Sequence, residues 1–205
     1  LPPTTPQPPL VIAHSLLGDH RGYGRLWNAS FEQSDVHALA HRGLTGYEAF
    51  PLDADGAAGM VHEYAVALLS AFDARPFDMI GSSFGAVLAA HVAHAAKAQA
   101  GAPRRLVLVD PPPLVPSHLR VPAMLTDMRL AAMGVLLIHL KIEMGASVWT
   151  RFPQLKTLRE EALPHFVAAQ CLPMGASKTK LVASVDQFER QLAVYRQCRH
   201  AFHIF

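Results

Sequence analysis

The sequence predicts an α/β fold in which helices cover both faces of a mostly parallel sheet. Short runs that are almost entirely apolar alternate with segments of helical spacing, as buried parallel strands alternate with their crossover helices. One of these runs passes directly into a helical segment through a serine flanked by glycines, at residues 81–85. The 205 residues are 51% hydrophobic and 17% charged, which suffices for one well-buried core.

The predicted elements follow one another in a strand-helix rhythm up to residue 110. Four apolar runs predict strands at Leu10 to Ala13, Val36 to Leu39, Phe77 to Ile80 and Leu106 to Val109. Apolar residues at helical spacing predict helices at Met60 to Phe72 and Ala86 to Ala100. Because the predicted strands are apolar on both faces, we expect helices on both sides of the sheet.

After Pro111 the rhythm changes. Residues from about 114 to 184 show helical spacing without a convincing strand, including Met124 to Met144 and Leu155 to Ala169. In a sheet-based fold this pattern predicts a helical lid inserted over the strand ends. Val185 to Arg199 then predicts a further helix, and residues 200–205 predict the first part of another strand. We therefore expect the last strands of the sheet to be missing from this chain.

Composition and charge predict the domain limits and exclude several kinds of partner. Five of the first ten residues are proline, so residues 1–9 predict an extended linker and residues 10–205 the domain itself. The formal net charge is only +2 and the Lys and Arg residues are scattered, which favours neither nucleic acid nor an anionic membrane. The longest nearly uncharged stretch, Leu130 to Leu140, is too short to span a bilayer.

The cysteine and histidine spacings predict no metal site. Cys171 and Cys198 form neither a disulfide framework nor a metal-ligand spacing, which favours a reducing, cytoplasmic compartment. Two histidine pairs have suitable spacings but no accompanying carboxylate or thiol; they are His91 with His94 and His37 with His41. We expect no metal and no bound cofactor.

The G-S-S-F-G segment from Gly81 to Gly85 makes Ser83 the candidate nucleophile. At a sharp strand-to-helix turn the serine backbone is strained and its hydroxyl is exposed above the carboxyl edge of the sheet. The residues two before and two after must be small, because strand and helix nearly collide there. The alternative is a chance match to a short motif, which the strand before and the helix after argue against.

Asp110 is the candidate acid that accompanies Ser83. It directly follows the predicted strand Leu106 to Val109 and lies 27 residues after Ser83, about the length of a covering helix and a return strand. Because the carboxyl ends of parallel strands meet at one edge of a sheet, the two residues are expected in the same crevice. The alternative is an ordinary turn carboxylate ahead of Pro111.

Four segments together resemble a known family. They are His14 to Gly18, the elbow from Gly81 to Ala86, Leu106 to Asp110, and the helix Phe188 to Tyr195. They are similar to the thioesterase domains that end fatty acid synthases, polyketide synthases and nonribosomal peptide synthetases. The resemblance runs from about residue 10 to the end of the chain and is weakest in the lid.

The resemblance implies an α/β-hydrolase fold and acyl transfer by a Ser-Asp-His triad, with Ser83 and Asp110 as two of its members. The oxyanion would be stabilised by two backbone N–H groups, that of Phe84 after the nucleophile and, as the resemblance favours, that of Leu16. The substrate would arrive on the phosphopantetheine of a carrier protein, and the proline-rich start would be the linker from an upstream acyl carrier domain.

This chain departs from the family pattern at two places. Asp19 stands where the family's first loop tends to carry a second small residue, so the sequence leaves the path of that loop open. The family's catalytic histidine follows the final strand, which is expected beyond Phe205. The alternative is one of the histidines present, namely His118, His139, His165, His200 or His203. Without this catalytic histidine we expect the chain of 205 residues to turn over thioesters about 10⁶-fold more slowly than the full-length protein.

Three functions are predicted as alternatives. The first is a thioesterase that releases an acyl or polyketide chain from a carrier, by hydrolysis or cyclisation. The second is a free-standing carboxylesterase or lipase with the same elbow. The third is a non-catalytic remnant that docks acyl carriers. Methionines could line an acyl tunnel or form lid core, and the sequence leaves this open; they are Met124, Met128, Met133 and Met144.

Overall fold

Within the described residues, a four-stranded parallel sheet forms the centre of the structure. The computed structural model describes residues 7–20, 23, 35–73, 75–99, 101–111, 128–140, 150–173 and 176–204. The strands are β1 (Leu10–Ile12), β2 (Val36–Ala38), β3 (Asp78–Ser82) and β4 (Arg105–Val109), in the order β2-β1-β3-β4. All three pairings are parallel, so the four carboxyl ends lie at one edge.

Five α-helices lie within the described residues. They are α1 (Ala54–Phe72), α2 (Phe84–Ala98), α3 (Met128–His139), α4 (Leu163–Cys171) and α5 (Lys178–Ile204). Short 3-10 helices span Arg42–Leu44, Pro153–Lys156 and Glu160–Ala162. No helix in this part of the chain combines the length and apolarity needed to cross a bilayer.

The buried apolar residues form two clusters. In the sheet cluster, β1 and β3 pack against α1, α2 and the end of α5, through residues such as Val11, Met79 and Leu88. The helical cluster joins α3, α4 and the first half of α5, through residues such as Leu136, Val167 and Phe188. Leu16, in the loop after β1, packs against both clusters. That loop therefore lies between the sheet and the helical layer.

The structure confirms the predicted fold class and the order of the first four strands. Each predicted strand coincides with an observed one to within two residues at either end. In the described part of residues 114–184 the regular elements are helical, namely α3, α4, two 3-10 helices and the start of α5. The assignment of this segment as a lid stays a prediction.

The strand predicted at residues 200–205 is wrong, because α5 continues to Ile204. The reason is tertiary packing: Val194, Cys198 and Ala201 are 1%, 0% and 2% exposed and belong to the sheet cluster. Their spacing of four and three residues keeps one helical face against the core. The packing of this helical face outweighs the β-propensity of the β-branched and aromatic residues that predict a strand here.

Strand β4 is the outermost strand of the described sheet and is poorly covered. Its four apolar side chains are between 38% exposed for Leu106 and 46% exposed for Val107. On its inner side it pairs with β3 from Arg105 opposite Asp78 to Val109 opposite Ser82. Helix α2 follows β3 directly, so the junction of these elements determines where Ser83 and Asp110 lie.

Candidate active site

Ser83 occupies the sharp turn between β3 and α2. Its backbone has φ 52° and ψ −123°, a left-handed conformation that costs free energy for a residue with a Cβ. Two hydrogen bonds hold this turn. The Ser83 N–H donates to the Val109 carbonyl at 3.0 Å, and the Ser83 carbonyl accepts the Ala86 N–H at 2.9 Å. The strained residue is thus fixed between the sheet and the helix.

The two glycines of the motif are required by close backbone approach. A Cβ on Gly81 would overlap the carbonyl oxygen of Gly85. A Cβ on Gly85 would lie 2.8 Å from the His14 carbonyl oxygen and 2.8 Å from the Tyr23 hydroxyl. Both distances are too short for any side chain to be tolerated without movement. The strand-to-helix crossing therefore has the geometry that the sequence motif predicts.

Asp110 lies beside Ser83 at the carboxyl edge of the sheet. Ser82 and Val109 are paired in register, so the next residues, Ser83 and Asp110, follow on adjacent strands that are about 5 Å apart. Asp110 is exposed and has φ 46°, a left-handed conformation that aspartate tolerates better than most residues. The backbone thus brings the predicted nucleophile and the predicted acid together. Their catalytic roles stay predictions.

The loop after β1 reaches the same edge. The Ala13 N–H donates to the Ile80 carbonyl at 2.9 Å, and the chain then leaves the sheet. A tight turn follows, in which the Gly18 N–H donates to the Ser15 carbonyl at 2.9 Å. Leu16 lies inside this turn and is partly buried. Since the His14 carbonyl lies against Gly85, the loop that carries the Leu16 N–H borders the elbow.

Asp19 completes a hydrogen-bonded turn within this loop. Its carbonyl accepts the Ser15 N–H at 3.1 Å. Its side chain is 7% exposed, and its Oδ2 accepts a hydrogen bond from Gln191 Nε2 of α5 at 3.3 Å. The departure from the family pattern at this position therefore ties the loop to the long helix, a contact that the sequence did not indicate.

Phe84 is the first residue of α2, and its ring is 1% exposed. The first N–H groups of a helix have no partner within the helix, and the positive end of the helix dipole adds to their attraction for anions. The N–H after Ser83 is thus of the kind that can bind an oxyanion. The loop that carries Leu16 lies against this turn, because the His14 carbonyl borders Gly85.

Two buried histidines lie at the start of this loop and next to it, and the sequence did not single out either as a structural residue. His14 and His41 are both 0% exposed, with ring centroids 6.0 Å apart. His14 Nδ1 donates to the Ser15 carbonyl at 2.8 Å, and its Nε2 accepts from the Tyr64 hydroxyl at 2.9 Å. Both ring nitrogens of His14 therefore have partners, which leaves neither for Ser83.

Burial holds both histidines in the neutral form. Desolvation lowers the pKa of His14 to about 4, although the bond to Ser15 and the charge of Asp19 oppose this. Desolvation, with the nearby His14 and Arg42, lowers the pKa of His41 to about 3. His41 Nδ1 accepts the Gly43 N–H at 3.1 Å, while its buried Nε2 has no hydrogen-bond partner within the described part of the chain.

The folded state is therefore expected to lose stability between pH 6.5 and pH 4.5. In the unfolded chain these imidazoles take up protons near pH 6.5, whereas in the folded chain they do so only near pH 4 and below. The two neutral imidazoles contribute fully to the free energy of unfolding above pH 6.5. For each histidine, about 2–3 kcal/mol of this free energy should be lost by pH 4.5. Urea unfolding followed by circular dichroism at pH 7.0, 5.5 and 4.5 measures the effect.

His41→Asn is the matched variant for this experiment. An asparagine oxygen can still accept the Gly43 N–H but does not titrate, so the pH dependence should fall by about half. His165→Asn, at an exposed position on α4, should leave it unchanged. An unaltered pH dependence in His41→Asn would contradict the assignment.

The remaining candidate histidines and methionines that the structure describes lie on α3, α4 and α5. The His139 ring packs edge-on against Phe188, with centroids 5.2 Å apart, and His165 and His200 are exposed on α4 and α5. Met128 is buried in the helical cluster and Met133 packs against it. Several predicted residues or side chains lie outside the described residues, namely Met124, Met144, His118 and the side chain of His203.

No metal-binding cluster occurs in the described ranges: no three His, Cys, Asp or Glu side chains come together there. A cavity of about 620 Å³ lies along α1 and the loop after β2, between Phe50, Glu63 and Val66. Its lining includes none of the four predicted site residues. We assign no catalytic role to it.

Comparison with known proteins agrees with the observed fold. A thioesterase domain family model matches residues 8–202. No curated protein sequence is significantly similar to the chain. Among solved structures, a four-domain nonribosomal peptide synthetase in its holo form, bound to AMP and glycine, is 15% identical with a TM-score of 0.64. The match covers 92% of this chain and 14% of the synthetase chain, and at this identity it supports the fold alone. The family match over nearly the whole chain shows that this protein belongs to the thioesterase domain family.

Proposed function

We propose that this thioesterase domain releases an acyl or polyketide chain from the phosphopantetheine thioester of a carrier protein, through an acyl intermediate on Ser83. The observation that carries the proposal is the Ser83 turn, where a strained backbone is fixed by bonds to Val109 and Ala86. Such a turn presents a serine hydroxyl above a sheet edge, which is the arrangement of a covalent nucleophile. The family match supports thioesters as the substrate class.

In the proposed reaction the Ser83 oxygen attacks the thioester carbonyl while an imidazole takes the hydroxyl proton. The N–H groups of Leu16 and Phe84 stabilise the oxyanion that forms. When the C–S bond breaks, the imidazolium returns the proton to the departing thiolate, and the acyl group remains on Ser83. Water, or a hydroxyl or amine of the acyl chain itself, then attacks this ester with the imidazole again as base.

Asp110 is the proposed acid of this triad. A carboxylate beside the imidazole holds it in the productive tautomer and stabilises its protonated form. The register of β3 and β4 supports this role, because it puts Asp110 next to Ser83. The proposal leaves the base to a histidine other than His14, since both ring nitrogens of His14 are already hydrogen-bonded.

The proposed partner is an acyl carrier domain upstream of residue 10. The proline-rich segment 1–9 supports a linker of limited flexibility, and the structural similarity to a multidomain synthetase is compatible with such a context. The phosphopantetheine arrives with the substrate, and the proposed chemistry uses no further cofactor.

A matched pair of substrates tests the proposal against the carboxylesterase alternative. The same acyl group is supplied once as a pantetheine thioester and once as the corresponding oxygen ester. The full-length protein is assayed with both, and the two values of kcat/KM are compared. We expect the thioester to be preferred by about tenfold or more, because binding of the pantetheine arm contributes to the transition state. Equal or better hydrolysis of the oxygen ester would instead favour a carboxylesterase.

A further inference from the structure

The strand that precedes Ser83 extends beyond its neighbour β1. In the ladder between them the last bond from β1 is that of the Ala13 N–H to the Ile80 carbonyl. Backbone groups two residues apart in a strand point to the same side, so the N–H and carbonyl of Ser82 also face β1. The chain has turned away into the loop at that point, and among the described residues no strand pairs with Ser82 on this side.

The Tyr23 hydroxyl takes the place of that strand partner. The Ser82 N–H donates to the Tyr23 hydroxyl oxygen at 2.8 Å, and the hydroxyl lies at the long distance of 3.5 Å from the Ser82 carbonyl oxygen. The same oxygen is one of the atoms that exclude a side chain at Gly85. One phenol group therefore contacts the elbow on both sides of Ser83.

Tyr23 is itself held in place as a buried residue. It is 5% exposed, and its N–H donates to the His20 carbonyl at 2.9 Å. Burial raises the pKa of the Tyr23 phenol above its usual value, so the group stays protonated at neutral pH. An amide shielded from water without a hydrogen-bond partner is destabilising, and the phenol gives the partly buried Ser82 amide such a partner.

We propose that Tyr23 is a positioning residue for the nucleophile: its hydroxyl fixes the Ser82 peptide and, through it, the Ser83 hydroxyl and the Phe84 N–H. This inference rests on the proposed function of Ser83. Tyr23 takes no part in bond making or proton transfer. It acts before the reaction, by restricting the turn to the geometry that attack requires.

Tyr23→Phe removes the hydroxyl and keeps the ring. Amide hydrogen exchange, resolved by residue in NMR spectra, is expected to become faster at Ser82 while exchange at Val11 and Leu88 in the sheet cluster is unchanged. Tyr64→Phe is the matched control, because the hydroxyl bond that it loses, of 2.9 Å to the His14 ring, is not made to Ser82. It should leave Ser82 exchange as it is. A Ser82 amide that already exchanges at the unprotected rate in the unmodified chain would overturn the proposal.

The kinetic readout separates positioning from general stability. With a pantetheine thioester, Tyr23→Phe should lower kcat about 10- to 100-fold, as expected for a misplaced reacting group, and should leave KM nearly unchanged. Faster Ser82 exchange with an unaltered kcat would overturn the positioning role. Failure of Ser83 as nucleophile is detected separately, through Ser83→Ala, and does not alter the exchange result.

Discussion

Replacing Ser83 with alanine is expected to lower kcat for a pantetheine thioester by about 10⁶-fold. Members of a catalytic triad act as a unit, so loss of the nucleophile costs about as much as loss of the whole triad. The fold should persist, because the turn is held by backbone bonds to Val109 and Ala86 and alanine needs no larger space than serine. Steady-state kinetics with the protein at its natural termini measures the loss.

Ser70→Ala is a suitable control for this variant. Ser70 is an exposed serine of α1, and its replacement should leave kcat unchanged. A fluorophosphonate should label the unmodified protein at Ser83, identified by peptide mapping, and should not label Ser83→Ala. Residual activity above about one hundredth of the original rate in Ser83→Ala would mean that another group forms the acyl intermediate.

Asp110→Asn is expected to lower kcat by about 10³- to 10⁴-fold without unfolding the protein. An asparagine can keep the shape and the left-handed backbone of Asp110, but it no longer selects the imidazole tautomer that accepts the serine proton. Kinetics and circular dichroism together distinguish loss of catalysis from loss of fold.

The chain offers a closely matched control for Asp110→Asn. Asp73 follows the last residue of α1 and has φ 46°, the same value as Asp110, and its conversion to asparagine makes the same chemical change at the same φ. We expect Asp73→Asn to retain full activity. A loss smaller than tenfold in Asp110→Asn would place the triad acid at another residue.

Local patterns predicted the elbow well because its causes are local. Gly81 must lack a side chain because it contacts Gly85, four residues later, and Gly85 because it contacts a neighbouring loop. The apolar strand before Ser83 is continuous in sequence. The proximity of Ser83 and Asp110 also followed from the strand rhythm, since parallel strands end at one edge.

The supporting residues could not be predicted in the same way. The bond from Ser82 to Tyr23 joins residues 59 apart, and that from His14 to Tyr64 joins residues 50 apart. No periodicity connects such positions, so a tyrosine in a loop and a histidine at a strand end carry no visible signal. The end of α5 was predicted wrongly for a similar reason, because its helical face is defined by packing on the sheet.

The outer position of β4 is expected to affect how the Ser83 turn opens. The Val109 carbonyl that holds the Ser83 N–H belongs to a strand that has one described neighbour and side chains more than a third exposed. Strands with few buried contacts open at the lowest free-energy cost. Fraying of β4 would release Ser83 and Asp110 in a single event, since Val109 contacts the first and precedes the second. A binding partner that adds a strand along β4 would therefore slow this opening and stabilise both residues together.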